Sequence, residues 1–325
     1  MTSGSPGRLI ILFAIPLMLG NICQQLYTMV DTMVVGQIAG VEALAALGAV
    51  DFLMWVVTGI STGLTQGFSI QLSQYYGAKD FENLRKSLAH SYRLTAFIAV
   101  GVFILSQSFA ALVLTGLHTP SNIIGMSLLY LRIIFCGIPA TAAYNMFAAA
   151  LRAMGNSKTP LTAMIIASVL NISLDILFVA GFGWGVAGAA IATVIAQSFS
   201  AVYCFLILRR IDIVHLSRAD FMSAVGMNAR LMKLGIPVVF QNIIIGVGGL
   251  VVQYVINGYG FLFVAGFTAT NKLYGLLEMA AISYGYAIVT YVGQNLGAGR
   301  IDRIRKGVRS SMLLSLLTSL IISAA

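Results

Sequence analysis

Charge is scarce in this chain: only 9% of its 325 residues are Asp, Glu, Lys or Arg, where a soluble domain carries roughly a quarter. That is too little polar side chain to cover a water-facing surface of this size. Cysteine is nearly absent. Cys23, Cys136 and Cys204 fall inside apolar runs with no CxxC spacing, which excludes a disulfide framework or a zinc knuckle. Six prolines exclude collagen-like and low-complexity readings. The three histidines, His90, His118 and His215, stand near expected helix ends without metal spacing. No HExxH and no nucleophile–base arrangement occurs at membrane depth, so an enzyme is not expected and no cofactor is implied.

What is abundant is apolar side chain, 59% of residues against about 45–50% in ordinary soluble domains. Stretches of about 20 or more mostly apolar residues fall near 9–37, 43–76, 87–117, 122–151, 159–180, 184–208, 231–256 and 262–296, with an incomplete one from 307. They are too long for barrel strands, and only helices or closed barrels satisfy the backbone in lipid, so the fold class is an all-α polytopic membrane protein. The first stretch is too long for a signal-peptide core and contains Asn21, Gln24, Gln25 and Asp31, so it reads as a retained membrane helix.

The net charge of +9 would suggest nucleic-acid binding in a soluble protein, but 17 of the 19 Lys and Arg residues sit in alternate connections or next to them. The intervening loops, near 36–42, 117–121, 181–183 and 257–260, hold none. By the positive-inside rule the basic connections and the N-terminus are cytoplasmic, in a plasma or cell inner membrane, with lipid rather than nucleic acid as partner.

The chain also repeats itself. A shift of 221 pairs Ile15, Pro16, Asn21 and Ile22 with Ile236, Pro237, Asn242 and Ile243. A shift of 220 pairs Gln74 with Gln294, Gly77-Ala78 with Gly297-Ala298 and Arg85-Lys86 with Arg305-Lys306. Six membrane segments separate the copies, an even number, so the repeats are parallel and related by an axis along the membrane normal. The expected organisation is an N-terminal lobe over 1–208, a cytoplasmic connection over 209–230 and a partial C-terminal lobe over 231–325. It amounts to two parallel six-helix repeats with the second incomplete, as in a C-terminally truncated chain. Two lobes around a central site are the usual architecture of alternating access.

Ionisable groups at membrane depth cost at least a few kcal/mol each, so each is a functional hypothesis. Asp31 and Asp175 are expected at matching depths, roughly 8 and 9 Å below the outer ends of the first and fifth helices. Asn171 lies four residues before Asp175 on the same face, and Thr193 on the sixth helix enters from the same side. These four residues offer oxygen only, which suits a hard cation such as Na⁺. Two nearby carboxylates in low dielectric also resist being charged together, which permits proton carriage instead. The position matching Asp31 in the second repeat is Val252, so the ion site belongs to the first lobe. The alternative is that Asp31 and Asp175 merely lock helices through Arg132 or through Thr and Asn donors. Asp51 and Arg132 are expected to form a buried structural pair. Glu278, Gln25 and Tyr27 are assigned to a substrate cavity, and Lys272, six residues before Glu278, projects to another face. Pro16, Pro139 and Pro237 are expected to bend their helices. Gly183, Gly185 and Gly188 spell GxGxxG, but no strand precedes them and close helix packing explains them.

With these residues in view, the chain resembles the multidrug and toxic compound extrusion (MATE) family over essentially its whole length. The resemblance rests on QQLYTMVDTMVVGQIAG (24–40), ALRAMGNSKTP (150–160), NISLDILF (171–178), GWGVAGAAIAT (183–193) and VGQNLGAG (292–299), in that order. It implies a twelve-helix, V-shaped, two-lobe antiporter that exports amphipathic, often cationic, organic compounds in exchange for Na⁺ or H⁺, here without the last three helices and most of the ninth. An acid in the first helix, Asn and Asp four apart in the fifth and Thr in the sixth resemble the DinF-like branch, at Asp31, Asn171, Asp175 and Thr193. The branch with an acid in the seventh helix is disfavoured, because 231–256 has none. The chain is expected to act as a monomer. A lipid-linked oligosaccharide flippase of the same superfamily is the alternative. It would display several cations in its cavity, where only Arg132 and Lys272 are available.

Overall fold

The computed structural model describes the backbone of residues 1–222 and 225–324, with side chains described throughout except at 272, 273, 276, 277, 280 and 322–324. The chain is an all-α bundle, with no strand among the described residues. Each expected apolar stretch is helical: α1 (Pro6–Ile38), α2 and α3 (Val41–Gly48, Asp51–Ala78), α4 (Phe81–Gly116), α5 and α6 (Ile124–Cys136, Ile138–Ala153), α7 (Lys158–Asp175), α8 (Gly185–Arg209), α9 (Met227–Asn257), α10 (Phe261–Gly297) and α11 (Ile301–Ala324). Six spans are long and apolar enough to cross a membrane, and the α5–α6 pair makes a seventh, among the described residues.

Two of the stretches are broken. The α5–α6 span bends by 48° at Gly137, and Pro139 follows in the first turn of α6, where its missing N–H costs nothing. The stretch expected as one helix over 43–76 is interrupted at Ala49-Val50, so Asp51 opens α3 in the first turn, where the helix dipole favours a carboxylate. A third irregularity follows α7: residues Ile176–Gly181 wind as a π-helix, starting directly after Asp175. Pro16 and Pro237 both lie inside their helices.

The sequence repeat is visible in the packing. Under it α1 corresponds to α9 and α3 to α10, and the contacts follow suit: α3 packs on α9, α1 on α10, and α3 on α10. At the first seam Asn242 Nδ2 donates to the Gly59 carbonyl at 3.0 Å. At the equivalent seam Asn21 Nδ2 donates to Ser283 Oγ at 3.1 Å, and Ser283 Oγ donates to the Met279 carbonyl at 2.6 Å. Ser283 stands where the first repeat has Gly63, so a hydroxyl is interposed at one seam and absent from the other. Glycine lets α3 and α9 approach backbone to backbone: a Cβ on Gly67 would fall on the backbone of Leu234 and Gly235, and one on Gly63 would lie 2.8 Å from the Val239 nitrogen. In lipid, where burial against water gives no drive, such close approach is what holds helices together. The repeat extends to the ends of α3 and α10. Lys79 (φ 58°) and Gly299 (φ 70°) occupy the same repeat position in left-handed conformations, which glycine adopts without a Cβ penalty.

The 209–230 connection is pinned to α4. Both Ser217 N–H and Oγ–H donate to Asp220 Oδ2, at 2.7 and 2.8 Å, and the Asp220 carboxylate stands 3.9 Å from Arg85 Nε. Buried His90 places Nδ1 2.7 Å from Asn228 Oδ1 and Nε2 3.2 Å from the Met222 carbonyl.

Candidate functional site

A cavity of about 390 Å³ opens between α1, α3, α5, α6, α8 and α10. From α1 it takes Leu17, Asn21, Gln24, Thr28 and Asp31, whose spacing of three and four residues holds them on one helical face. Across from them stand Asp51, Trp55, Thr58 and Thr62 of α3. Hydroxyls of Thr28, Thr32, Thr58 and Thr62 all donate to carbonyls of their own helix, at 2.7 to 3.1 Å. With their protons so engaged, these oxygens are left with acceptor lone pairs, one of which, on Thr62, takes a hydrogen bond from Asn145 Nδ2 at 3.2 Å. The lining therefore offers carboxylates, oxygen acceptors and aromatic faces.

At one end of this cavity the four expected ion-site residues come together. Asp31 is 4% exposed and lines the cavity, while Asn171 and Asp175 are fully buried behind it on α7, which packs directly on α1. Asn171 Nδ2 donates to Thr193 Oγ1 at 3.4 Å, tying α7 to α8. Asp31 and Asp175 lie within Coulombic range of one another and of the hydroxyls of Tyr27 and Tyr130. Tyr27 is held by Gln197 Nε2, which donates to its oxygen at 3.0 Å. Asp175 terminates the α-helical part of its span, so the π-turn that follows shifts the register of every later side chain relative to it. Such turns are frequent at functional positions.

Hydrogen-bond accounting in this cluster is one-sided. Asn171 Oδ1, both Asp175 carboxyl oxygens and Gln197 Oε1 are buried without a donor among the described residues. Each such acceptor costs free energy unless something fills the space between them. A cation or a proton satisfies oxygens of this kind; an apolar group does not.

Other expected positions fall elsewhere. Gln25 is one residue, about 100°, away from the cavity-lining Gln24, and its side chain instead meets Gly275 on α10. Glu278 is exposed and outside the cavity lining; α10 supplies Tyr286, eight residues on. The expected pair of Asp51 and Arg132 does not form: Asp51 lines the cavity, and Arg132 belongs to the exposed stripe of Gly125, Leu129 and Cys136 on the opposite face of α5. The face that α5 buries carries Ser127, Tyr130, Leu131 and Ile134, and Arg132 falls off it; a long arginine stem can carry its guanidinium along the outer surface toward a polar interface. The side chain of Lys272 lies outside the described residues. Sequence reading passed over Tyr130, Gln197, Trp55 and the α6–α10 contact of Arg152 with Tyr286, whose ring centroid lies 4.9 Å from the guanidinium carbon. The ALRAMGNSKTP segment contained Arg152, but only the fold shows that it turns inward.

An all-helical membrane bundle enclosing a polar, acid-lined cavity is the architecture of a transporter. The chain matches the MatE family over residues 16–177 and 237–325, two stretches whose starts are separated by the repeat length. It is 31% identical over 303 residues to the probable multidrug resistance protein YpnP of Bacillus subtilis (strain 168), covering 93% of this chain and 68% of that protein. Among solved structures, it is similar to the outward-facing conformation of a multidrug resistance MATE family transporter, at TM-score 0.86 and 23% identity over 98% of this chain and 70% of the other. It is similar as well to an inward-facing conformation of such a transporter, at TM-score 0.75 and 21% identity over 93% of this chain and 69% of the other. The chain belongs to the MatE family of multidrug efflux transporters. It spans about two thirds of the length of these relatives.

Proposed function

We propose that this chain is the greater part of a cation-coupled antiporter that exports amphipathic organic cations, with Asp31 and Asp175 as the site of the coupling proton or sodium ion. The observation that carries this is the cluster of buried oxygens without donors, Asn171 Oδ1 and both oxygens of Asp175, set behind an acid that reaches the cavity. The lobes are 1–208 and 231–325, joined by the 209–230 connection, and they act within one monomer. The basic connections and N-terminus face the cytoplasm across a plasma or cell inner membrane. The greater likeness to the outward-facing relative supports reading this structure as the outward-facing state.

In that state an ion from outside enters past Asp31 and neutralises the acid pair. This removes the electrostatic attraction for a cationic cargo and lets α1 repack, so cargo leaves outward; release of the ion inward resets the cycle. The ion drives the cycle only through its different affinities for the two states. An aromatic and carboxylate lining suits a desolvated organic cation. It suits the phosphates of a lipid-linked oligosaccharide less well, since Arg152 is the one cation among the described lining residues.

The test is efflux of a fluorescent organic cation from proteoliposomes under separately imposed sodium and proton gradients. One of the two gradients should drive it and the other should not; efflux indifferent to both refutes the assignment. A binding measurement complements it, because Trp55 lines the cavity and Trp184 is the only other tryptophan. In a Trp184→Phe background, addition of an amphipathic cation should quench Trp55 emission, and the coupling ion should reverse the quench. An emission spectrum unmoved by saturating cation would place cargo elsewhere.

A further inference from the structure

The inner end of the cavity is closed by contacts between the two halves of the chain, and they are reciprocal under the sequence repeat. Gly77 and Gly297 are repeat equivalents, as are Gln74 and Gln294. A Cβ on Gly77 would fall on the backbone of Gln294, and a Cβ on Gly297 would fall on the backbone of Gln74. Residue i meets j′ while j meets i′, which is the signature of a contact on a two-fold axis. Gln294, 1% exposed, also donates from Nε2 to the Ala153 carbonyl at 2.8 Å. The neighbouring residue, Arg152, stacks its guanidinium on Tyr286, and both line the cavity. One helix of the second half thus closes on the ends of α3 and α6 of the first.

We propose that this is the inner gate, with Gly77 and Gly297 as its seat and Arg152 on Tyr286 as its floor. The floor is also a specificity element. It sets a fixed positive charge at the inner end of a cavity whose carboxylates, Asp31 and Asp51, stand toward the other end, so a cation held there is opposed from leaking back inward. Opening parts the short glycine seat, the Arg152–Tyr286 contact and the hydrogen bonds of Gln294 to the Ala153 carbonyl and from the Met1 amine, whereas the α3–α9 seam is close-packed at Gly59, Gly63 and Gly67 along its length. The inference rests on the two-lobe reading above but not on the identity of the coupling ion.

The test is labelling of a Thr58→Cys reporter, which lines the cavity, after the three native cysteines are replaced by serine. A membrane-impermeant maleimide is applied separately to each face of sealed vesicles. With the gate intact, reagent on the face that carries Arg300, Arg303 and Arg305 should react slowly. Gly77→Ala, which wedges the seat, and Tyr286→Ala, which removes the floor without adding volume, should each raise that rate about tenfold and lower the rate from the opposite face. Arg152→Gln should raise it and Arg152→Lys should leave it nearer the parent value. Unchanged labelling from the basic face overturns the assignment, and so does an equal rise from both faces, which signifies general loosening. Because labelling needs neither ion nor cargo, a failed efflux experiment with this labelling pattern would reject the coupling site and leave the gate standing.

Discussion

Replacing Asp31 or Asp175 by Asn, one at a time, is expected to bring ion-driven efflux down to the level of protein-free vesicles while the protein still inserts and folds. Asparagine keeps the shape and one oxygen of the carboxyl group but neither binds a proton near neutral pH nor supplies a charge to a hard cation. Insertion should even ease slightly, because a carboxylate at membrane depth costs at least about 2.5 kcal/mol on insertion scales and an amide less. The two variants should differ in one respect. Asp31 reaches the cavity and Asp175 does not, so Asp31→Asn should also weaken cargo binding reported by Trp55, and Asp175→Asn should leave it close to the parent value. Gradient-driven efflux and Trp55 titration, run on the same preparations, separate the two roles. Full efflux in either variant would show that its carboxylate is not needed.

The second large effect is structural. Gly67→Leu should abolish recovery of folded protein from the membrane, and Gly67→Ala should cost about 3 kcal/mol or more, the upper end of overpacking effects. The reason is the neighbour. A new Cβ at Gly67 meets the backbone of Leu234 and Gly235, which cannot rotate away as a side chain would. Gly248 on α9 is the control, since a Cβ there meets nothing within 4 Å; Gly248→Ala should leave thermal stability in detergent unchanged. If Gly67→Ala melts with the parent, α3 and α9 are not held at the distance described.

The nine helical stretches and the polar residues within them were legible because lipid imposes a simple rule: long apolar runs span, and polar atoms at depth require a partner or a purpose. That rule singled out Asp31, Asn171, Asp175 and Thr193 from position along the chain alone. It says nothing about rotation around a helix axis, and there the sequence reading fails. Gln24 rather than Gln25 faces the cavity, Arg132 points outward, and Tyr286 occupies the role assigned to Glu278. Each error is a matter of angle set by tertiary packing: the face that α5 buries and the placement of α10 against α1. The π-turn after Asp175 carries no residue signature of its own. The repeat was plain in the sequence, but that its two glycines meet each other's partners across an axis is a fact of three-dimensional packing.

Infrared difference spectroscopy on the reconstituted protein bears most directly on the acid pair, because it reads carboxyl groups without cargo, gradient or turnover. Exchanging the coupling ion, by sodium addition or by a pH step, should produce a carboxyl difference signal that shrinks in Asp31→Asn and in Asp175→Asn and falls to the background of the remaining acidic residues when both are replaced. A signal of undiminished size in the doubly substituted protein would mean that the ion binds elsewhere, and the coupling mechanism given to these two residues would be wrong.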